Sequence, residues 1–273
     1  MKLPACAEIA ALFARANTYV GDNDWPRVAT PKLNGIRAMW VPSVGLFSKD
    51  GVPYTDGVLP HIEAALKDCP IMLDMELFNK ELSLQEINSR AGVIRTGPHP
   101  DHARIQAWII DAPHGLGGHD ERMDQIQVAL QRKLIENDSI VVVPAKISKC
   151  CRTADAIHAA YVSLGYEGTV YKSYSHYRPG KTDFMLKRKA WEDAEFAVVR
   201  LVEGDGKYAG TLGAVICRTA AGEEFSVGSF EMPDDERDAA WFARDTWREA
   251  KIKYQGLTDR GVPYTTRVLQ FIA

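Results

Sequence analysis

Residues 29–37 read ATPKLNGIR, which sets Lys32 just before a tight turn and Arg37 five residues beyond it. A lysine amine becomes a nucleophile only after losing its proton, and desolvation or neighbouring cations promote that loss. Gly35 lets backbone approach a ligand closely, and the Arg37 guanidinium can clamp a phosphate or a sugar. Taken alone, such a pattern is more often the start of a strand with a surface lysine. Glu76 lies in the apolar run 73–78, where an unpaired carboxylate is costly. It therefore calls for a ligand or a cation, with a structural salt bridge as the competing account. His114 and His119, in the glycine-rich stretch 113–119, point only faintly to a metal, and a mobile surface loop is the better reading. Cys150 and Cys151 have no partners at metal spacing and read as packing residues.

These side chains need elements to hold them. Strands are expected at 36–41, 45–48, 71–77, 106–110, 140–143 and 168–172 from β-branched and aromatic content. Helical periodicity marks 60–67, 84–91, 121–135 and 153–164, with Thr153 as N-cap and Asp155 in the first turn. The opening 1–16 could pass for a signal peptide, but Glu8 and Arg15 break its apolar run and make it an amphipathic helix. Strands do not alternate strictly with long helices, so the expected class is α+β, with mixed and antiparallel sheets flanked by helices. After residue 189 come short strand candidates at 195–202, 211–218, 224–227, 252–254 and 268–272. A hairpin turn at 221–222 and one helix at 234–249 complete a pattern that suits a small Greek-key barrel of the OB type. The expected domains are 1–189 and 190–273, with a hinge at 188–194.

Composition sets the frame. The 273 residues carry 33 Lys+Arg against 36 Asp+Glu, a formal net charge of −3, which by itself ranks a polyanionic partner low. Hydrophobic content of 46% and charged content of 25% exclude disordered and fibrous architectures. No run approaches the ~20 apolar residues of a membrane span. Five cysteines without CxxC spacing argue against a disulfide framework or a zinc site and fit a reducing cytoplasm.

The run at 29–37 does not stand alone. It resembles motif I, KxDGxR, of the covalent nucleotidyltransferases, which comprise ATP-dependent DNA ligases, RNA ligases and mRNA capping enzymes. The other motifs follow in order: SKDG at 48–51, LDMEL at 73–77, WIID at 108–111, EGTVYK at 167–172 and LKRK at 186–189. In the C-terminal part, GKYAGTLGA at 206–214, FSVGSF at 225–230 and Trp241 resemble the OB domain of DNA ligases rather than that of the other members. The chain is therefore similar over nearly its whole length to minimal ATP-dependent DNA ligases of phages, viruses and some bacteria.

That resemblance implies a nucleotidyltransferase (adenylation) domain at 1–189, an OB-fold domain at 190–273, ATP as substrate and Mg2+ as cofactor. It implies that Lys32 becomes lysyl-AMP. Thr30, Arg37, Glu76, Ile110, Glu167, Lys187 and Lys189 would then contact ATP or AMP, and Glu76 and Glu167 the metal. Lys187 and Lys189, two apart on one strand, face the same way toward the α-phosphate. Arg37, Lys49 and Lys181 would engage DNA, and Arg267 the pyrophosphate. The implied partner is nicked duplex DNA, bound by a monomer in the cytoplasm with roles in replication, repair or recombination. Asn34 stands where the motif has Asp, Lys49 where it has Arg, Met75 where it has Gly, and Ile110 where an aromatic ring stacks on adenine. The alternatives are an RNA ligase, a GTP-dependent capping enzyme, or a non-catalytic nick-binding module. A polyanion partner together with a net charge of −3 requires the cations to gather on one surface.

Overall fold

The computed structural model describes residues 5–21, 24–136, 138–258 and 260–273. The chain divides into two compact units, Met1–Arg188 and Lys189–Ala273. The first begins with α1 (Cys6–Ala11), β1 (Ala14–Thr18), β2 (Arg27–Lys32), β3 (Ile36–Val41), β4 (Gly45–Ser48), α2 (Pro60–Leu66), β5 (Leu73–Phe78) and α3 (Leu84–Ala91). It continues with β6 (Gln106–Asp111), α4 (His119–Glu136), β7 (Ile140–Val142), β8 (Lys146–Ser148), α5 (Cys151–Ser163), β9 (Gly168–Lys172) and β10 (Gly180–Lys189), whose last residue opens the second unit.

Two five-stranded sheets form, ordered β1-β10-β9-β2-β8 and β4-β3-β5-β6-β7. The second carries the main core. Pairs spaced four apart on one helix face, Ile62 with Leu66, Ile87 with Ala91 and Ile126 with Leu130, are buried in one cluster with Trp40, Met75 and Ile109. Ser83 starts α3 through a capping box: its hydroxyl accepts from the Glu86 amide, and the Glu86 carboxylate accepts from the Ser83 amide. On the other sheet, the buried Tyr161 and Tyr171 hydroxyls donate to the Ala29 and Ala154 carbonyls at 3.2 and 2.9 Å, which ties α5 down.

The second unit comprises β11 (Glu192–Glu203), β12 (Leu212–Arg218), β13 (Glu224–Val227), α6 (Asp234–Phe242), β14 (Glu249–Tyr254), β15 (Gly256–Leu257), β16 (Pro263–Tyr264) and β17 (Arg267–Ile272). Its main sheet runs β13-β12-β11-β14-β17, antiparallel throughout, around Leu212, Val215, Val227, Ile252 and Val268. The turn at 221–222 falls where the sequence places it, and Gly222 (φ 89°) supplies its left-handed residue.

Four local expectations change. Residues 14–18 form a strand, because they pair in parallel with β10 from Ala14 opposite Gly180. The helix before them spans only Cys6–Ala11, and residues 1–4 of that expectation lie outside the described residues. Thr153 is the third helical residue of α5 and not its cap, and its hydroxyl turns back to accept from the Lys149 and Cys150 amides. The helix expected over 234–249 ends at Phe242, because Glu249–Tyr254 is held as a strand between β11 and β17. The stretch 188–194 is mostly strand, with only Ala190 and Trp191 between β10 and β11. Among the described residues no helix is long and apolar enough to cross a membrane.

Candidate active site

Strand pairing assembles the site. β2 lies antiparallel to β9 with Lys32 opposite Gly168, and the Glu167 amide donates to the Lys32 carbonyl at 3.1 Å. That register sets the Glu167 side chain beside Lys32, whose Nζ donates to Oε2 at 2.5 Å. The two side chains are only 21% and 12% exposed, so the pair is held out of bulk water. β2 reaches this point as a buried run, and Leu33 after it is anchored in the main core. Gly35 then brings the chain against β5. A Cβ there would lie 2.4 Å from the Leu77 carbonyl oxygen and 2.9 Å from Glu76 Cγ. The glycine is thus demanded by the close approach of the chain to β5.

β3 carries Arg37 opposite Glu76 on β5. The Arg37 guanidinium forks onto Asp74, with Nε and Nη2 each 2.5 Å from a carboxylate oxygen. Tyr177 donates its hydroxyl to the same carboxylate at 2.9 Å. Burial works against the Arg37 charge, but Asp74 outweighs it and raises the pKa. Burial pushes the Glu76 carboxyl up to about 7, although the Arg37 and Lys32 charges pull the other way.

The remaining expected residues are placed as follows. Thr30 is buried on β2 and donates to the Val170 carbonyl at 3.4 Å. Ile110 is half-buried near the end of β6, and Lys187 is half-buried on β10 opposite Thr18. Lys189 belongs to the second unit, where its Nζ donates to Gln255 Oε1 at 2.8 Å. Lys49, just after β4, and Lys181 on β10 are exposed. Arg267 is exposed on β17, 5.5 Å from the centre of the Trp191 ring. The structure therefore gathers Lys32, Arg37, Glu76 and Glu167, and leaves Lys189 and Arg267 in the other unit.

Several groups beside the site were not singled out from sequence. Asp74 was detectable as the second carboxylate of the apolar run 73–78. Tyr177, which is 103 residues from Asp74, gave no signal. Asp111, Arg122 and Lys172 form a buried ion cluster, with Arg122 Nε 2.7 Å and Lys172 Nζ 3.4 Å from the Asp111 carboxylate. Burial alone would raise the Asp111 carboxyl, but the Lys172 and Arg122 cations hold it down at about 2. His119, expected on a mobile surface loop, is instead buried at the start of α4. Burial and the neighbouring Lys172 charge lower its pKa to about 4.

Glu76 and Glu167 offer the kind of hard oxygen donor that Mg2+ takes. The ion characteristically takes one or two carboxylates and completes its octahedron with water and substrate phosphates. Glu167 accepts from Lys32 Nζ and Glu76 feels the Lys32 charge, and no cluster of three or more His, Cys, Asp or Glu occurs among the described residues. The raised Glu76 pKa marks a carboxylate that gains from a cation.

Comparison with known proteins bears on the fold. Residues 203–271 match the DNA ligase OB-like domain model. The DNA ligase of Haemophilus influenzae is 24% identical over 245 residues, covering 86% of this chain and 83% of that protein. A solved structure from a structure–function analysis of Lig E DNA ligases aligns with a TM-score of 0.72 at 21% identity, covering 95% of this chain and 98% of that one. The chain has the fold of a DNA ligase. The ATP-dependent DNA ligase of bacteriophage T7, in complex with ATP, shares the ligase fold at a TM-score of 0.54 and 15% identity, covering 97% of this chain and 100% of that one. In this ligase fold, the α+β architecture ends in an OB-like domain at the C-terminus.

Proposed function

We infer that this chain is an ATP-dependent DNA ligase that seals nicks between a 3′-hydroxyl and a 5′-phosphate in duplex DNA. The observation that carries the reading is the Lys32–Glu167 pair at 2.5 Å, set beside Glu76 and Arg37 on a ligase fold. Lys32 Nζ attacks the α-phosphorus of ATP, the N–P bond forms, and the bond to the leaving pyrophosphate breaks. The 5′-phosphate of the nick then takes the AMP, and the 3′-hydroxyl displaces it to join the strand. All three steps are in-line displacements, so alignment and charge neutralisation are the protein's work.

Glu167 orients Nζ and is the acceptor within reach of its proton. Glu76 and Glu167 would hold Mg2+, which would supply charge neutralisation at the phosphates. Lys187 and Lys189 neutralise the α-phosphate, while Thr30 and Ile110 line the base. The Arg37 edges Nε and Nη2 are taken by Asp74, so its Nη1 edge is the one that meets ribose or DNA. Lys49 and Lys181 bind the DNA backbone, and Arg267 orients pyrophosphate. Residues 1–189 serve as the adenylation domain and 190–273 as the OB domain, in a monomer acting in the cytoplasm.

The test is incubation with Mg2+ and α-labelled ATP or GTP, without nucleic acid. Covalent label should come from ATP only and be lost in acid as a phosphoramidate. Label from GTP alone would indicate capping chemistry, and no label from either nucleotide would indicate a binding module.

A further inference from the structure

Lys172 ends β9 with its side chain fully buried, and no step above uses it. Its side chain crosses from one sheet to the other, where Nζ donates to the Ile110 carbonyl at 2.5 Å and reaches Asp111 Oδ2 only at 3.4 Å. Asp111 is already satisfied. Arg122 meets its two oxygens at 2.7 and 3.3 Å, and the Ala112 amide adds a bond at 2.9 Å. A buried ammonium is costly, and Asp111, shared with Arg122 and 3.4 Å away, offsets only part of that cost, while the closer contact is the Ile110 carbonyl.

The ladder between β5 and β6 supplies the reason. Met75 pairs with Ile109 and Asp74 with Asp111, so Ile110 is the extra residue of a β-bulge. A bulge leaves one residue out of the ladder and re-aims its side chain, and its carbonyl must find a donor elsewhere. Lys172 is that donor. We propose that Lys172 is a positioning residue for nucleotide binding, pinning the bulge so that the Ile110 side chain is aimed at the base of ATP. The proposal rests on the ligase reading, in which Ile110 contacts adenine. The competing role is a counter-charge for Asp74 and Asp111, which face each other across the ladder.

The full-length chain separates the two roles. The half-saturating ATP concentration for self-adenylylation should rise about tenfold in Lys172→Met, whereas sealing of a nick that already carries the 5′-adenylate should stay within about twofold. Lys172→Arg keeps the charge but cannot place one donor on the Ile110 carbonyl in the same way, so it should also need more ATP. It carries the test if the methionine variant fails to fold. The Lys172→Met/Ile110→Ala double variant should be no worse than the worse single variant, because both act through one side chain. Wild-type ATP dependence in Lys172→Arg, or additive losses in the double variant, would overturn the proposal. Absence of label in the wild-type chain would instead sink the ligase reading, and this inference with it.

Discussion

Lys32→Ala should lose ATP-driven sealing of nicked DNA by at least about ten-thousandfold, because the amine that forms the phosphoramidate is gone. The same variant should still join a nick that already carries the 5′-adenylate, since the last displacement uses the DNA hydroxyl and not the lysine. Denaturing gels of the two substrates under single turnover measure both quantities. Equal loss on both substrates would make Lys32 a structural residue and remove the covalent step from the account. The 2.5 Å bond to Glu167 makes the position sensitive to its fold, so a melting curve belongs with the assay.

Glu76→Gln should abolish most activity and yet stabilise the chain. The carboxyl is raised from 4.5 to about 7 by burial, so the folded state holds its proton more tightly than the unfolded state. The stability this contributes is fully present below pH 4.5 and is lost as pH rises through 7. Above that pH the ionised, half-buried carboxylate costs about 3 kcal/mol in the ligand-free chain. Glutamine stays neutral at every pH. The variant should therefore melt higher than wild type by about 5 °C at pH 8, with the gap closing toward pH 5. Sealing should fall about a hundredfold or more, since a group that meets the developing phosphate charge through its cation is gone. A lower melting temperature than wild type at pH 8 would contradict the burial argument. Added Mg2+ and ATP should narrow the stability difference.

Much of this site was legible because its parts are local. Lys32 and Gly35 sit within one turn, Asp74 and Glu76 lie in one apolar run, and Glu167 precedes a β-rich segment. Strands β3, β4, β9 and β13 and helix α3 have the bounds that their composition and periodicity indicate. Thr153 is a local misreading, settled by its contacts three and four residues back, whereas the others come from pairing across long sequence separations. Ala14–Thr18 continues a helical pattern, but it is a strand because its partner lies 166 residues on. His119 follows a glycine-rich stretch, yet it is buried because its amide donates to the Tyr174 carbonyl. The bulge at Ile110 depends on the register of two strands, which no single segment encodes. Net charge is likewise silent on where charges lie. Arg122 and Lys172 are wholly buried cations, and Arg37 is paired with Asp74, so the bulk sum says little about the surface.

Sealing itself is the most direct test of the central claim. A duplex with one nick, a labelled 5′-phosphate and an adjacent 3′-hydroxyl is incubated with the protein, Mg2+ and ATP. The account predicts a joined strand of full length, dependent on ATP, with a nicked RNA duplex left open. A protein that takes AMP covalently yet leaves the DNA nick open, or that joins only the RNA, would contradict it.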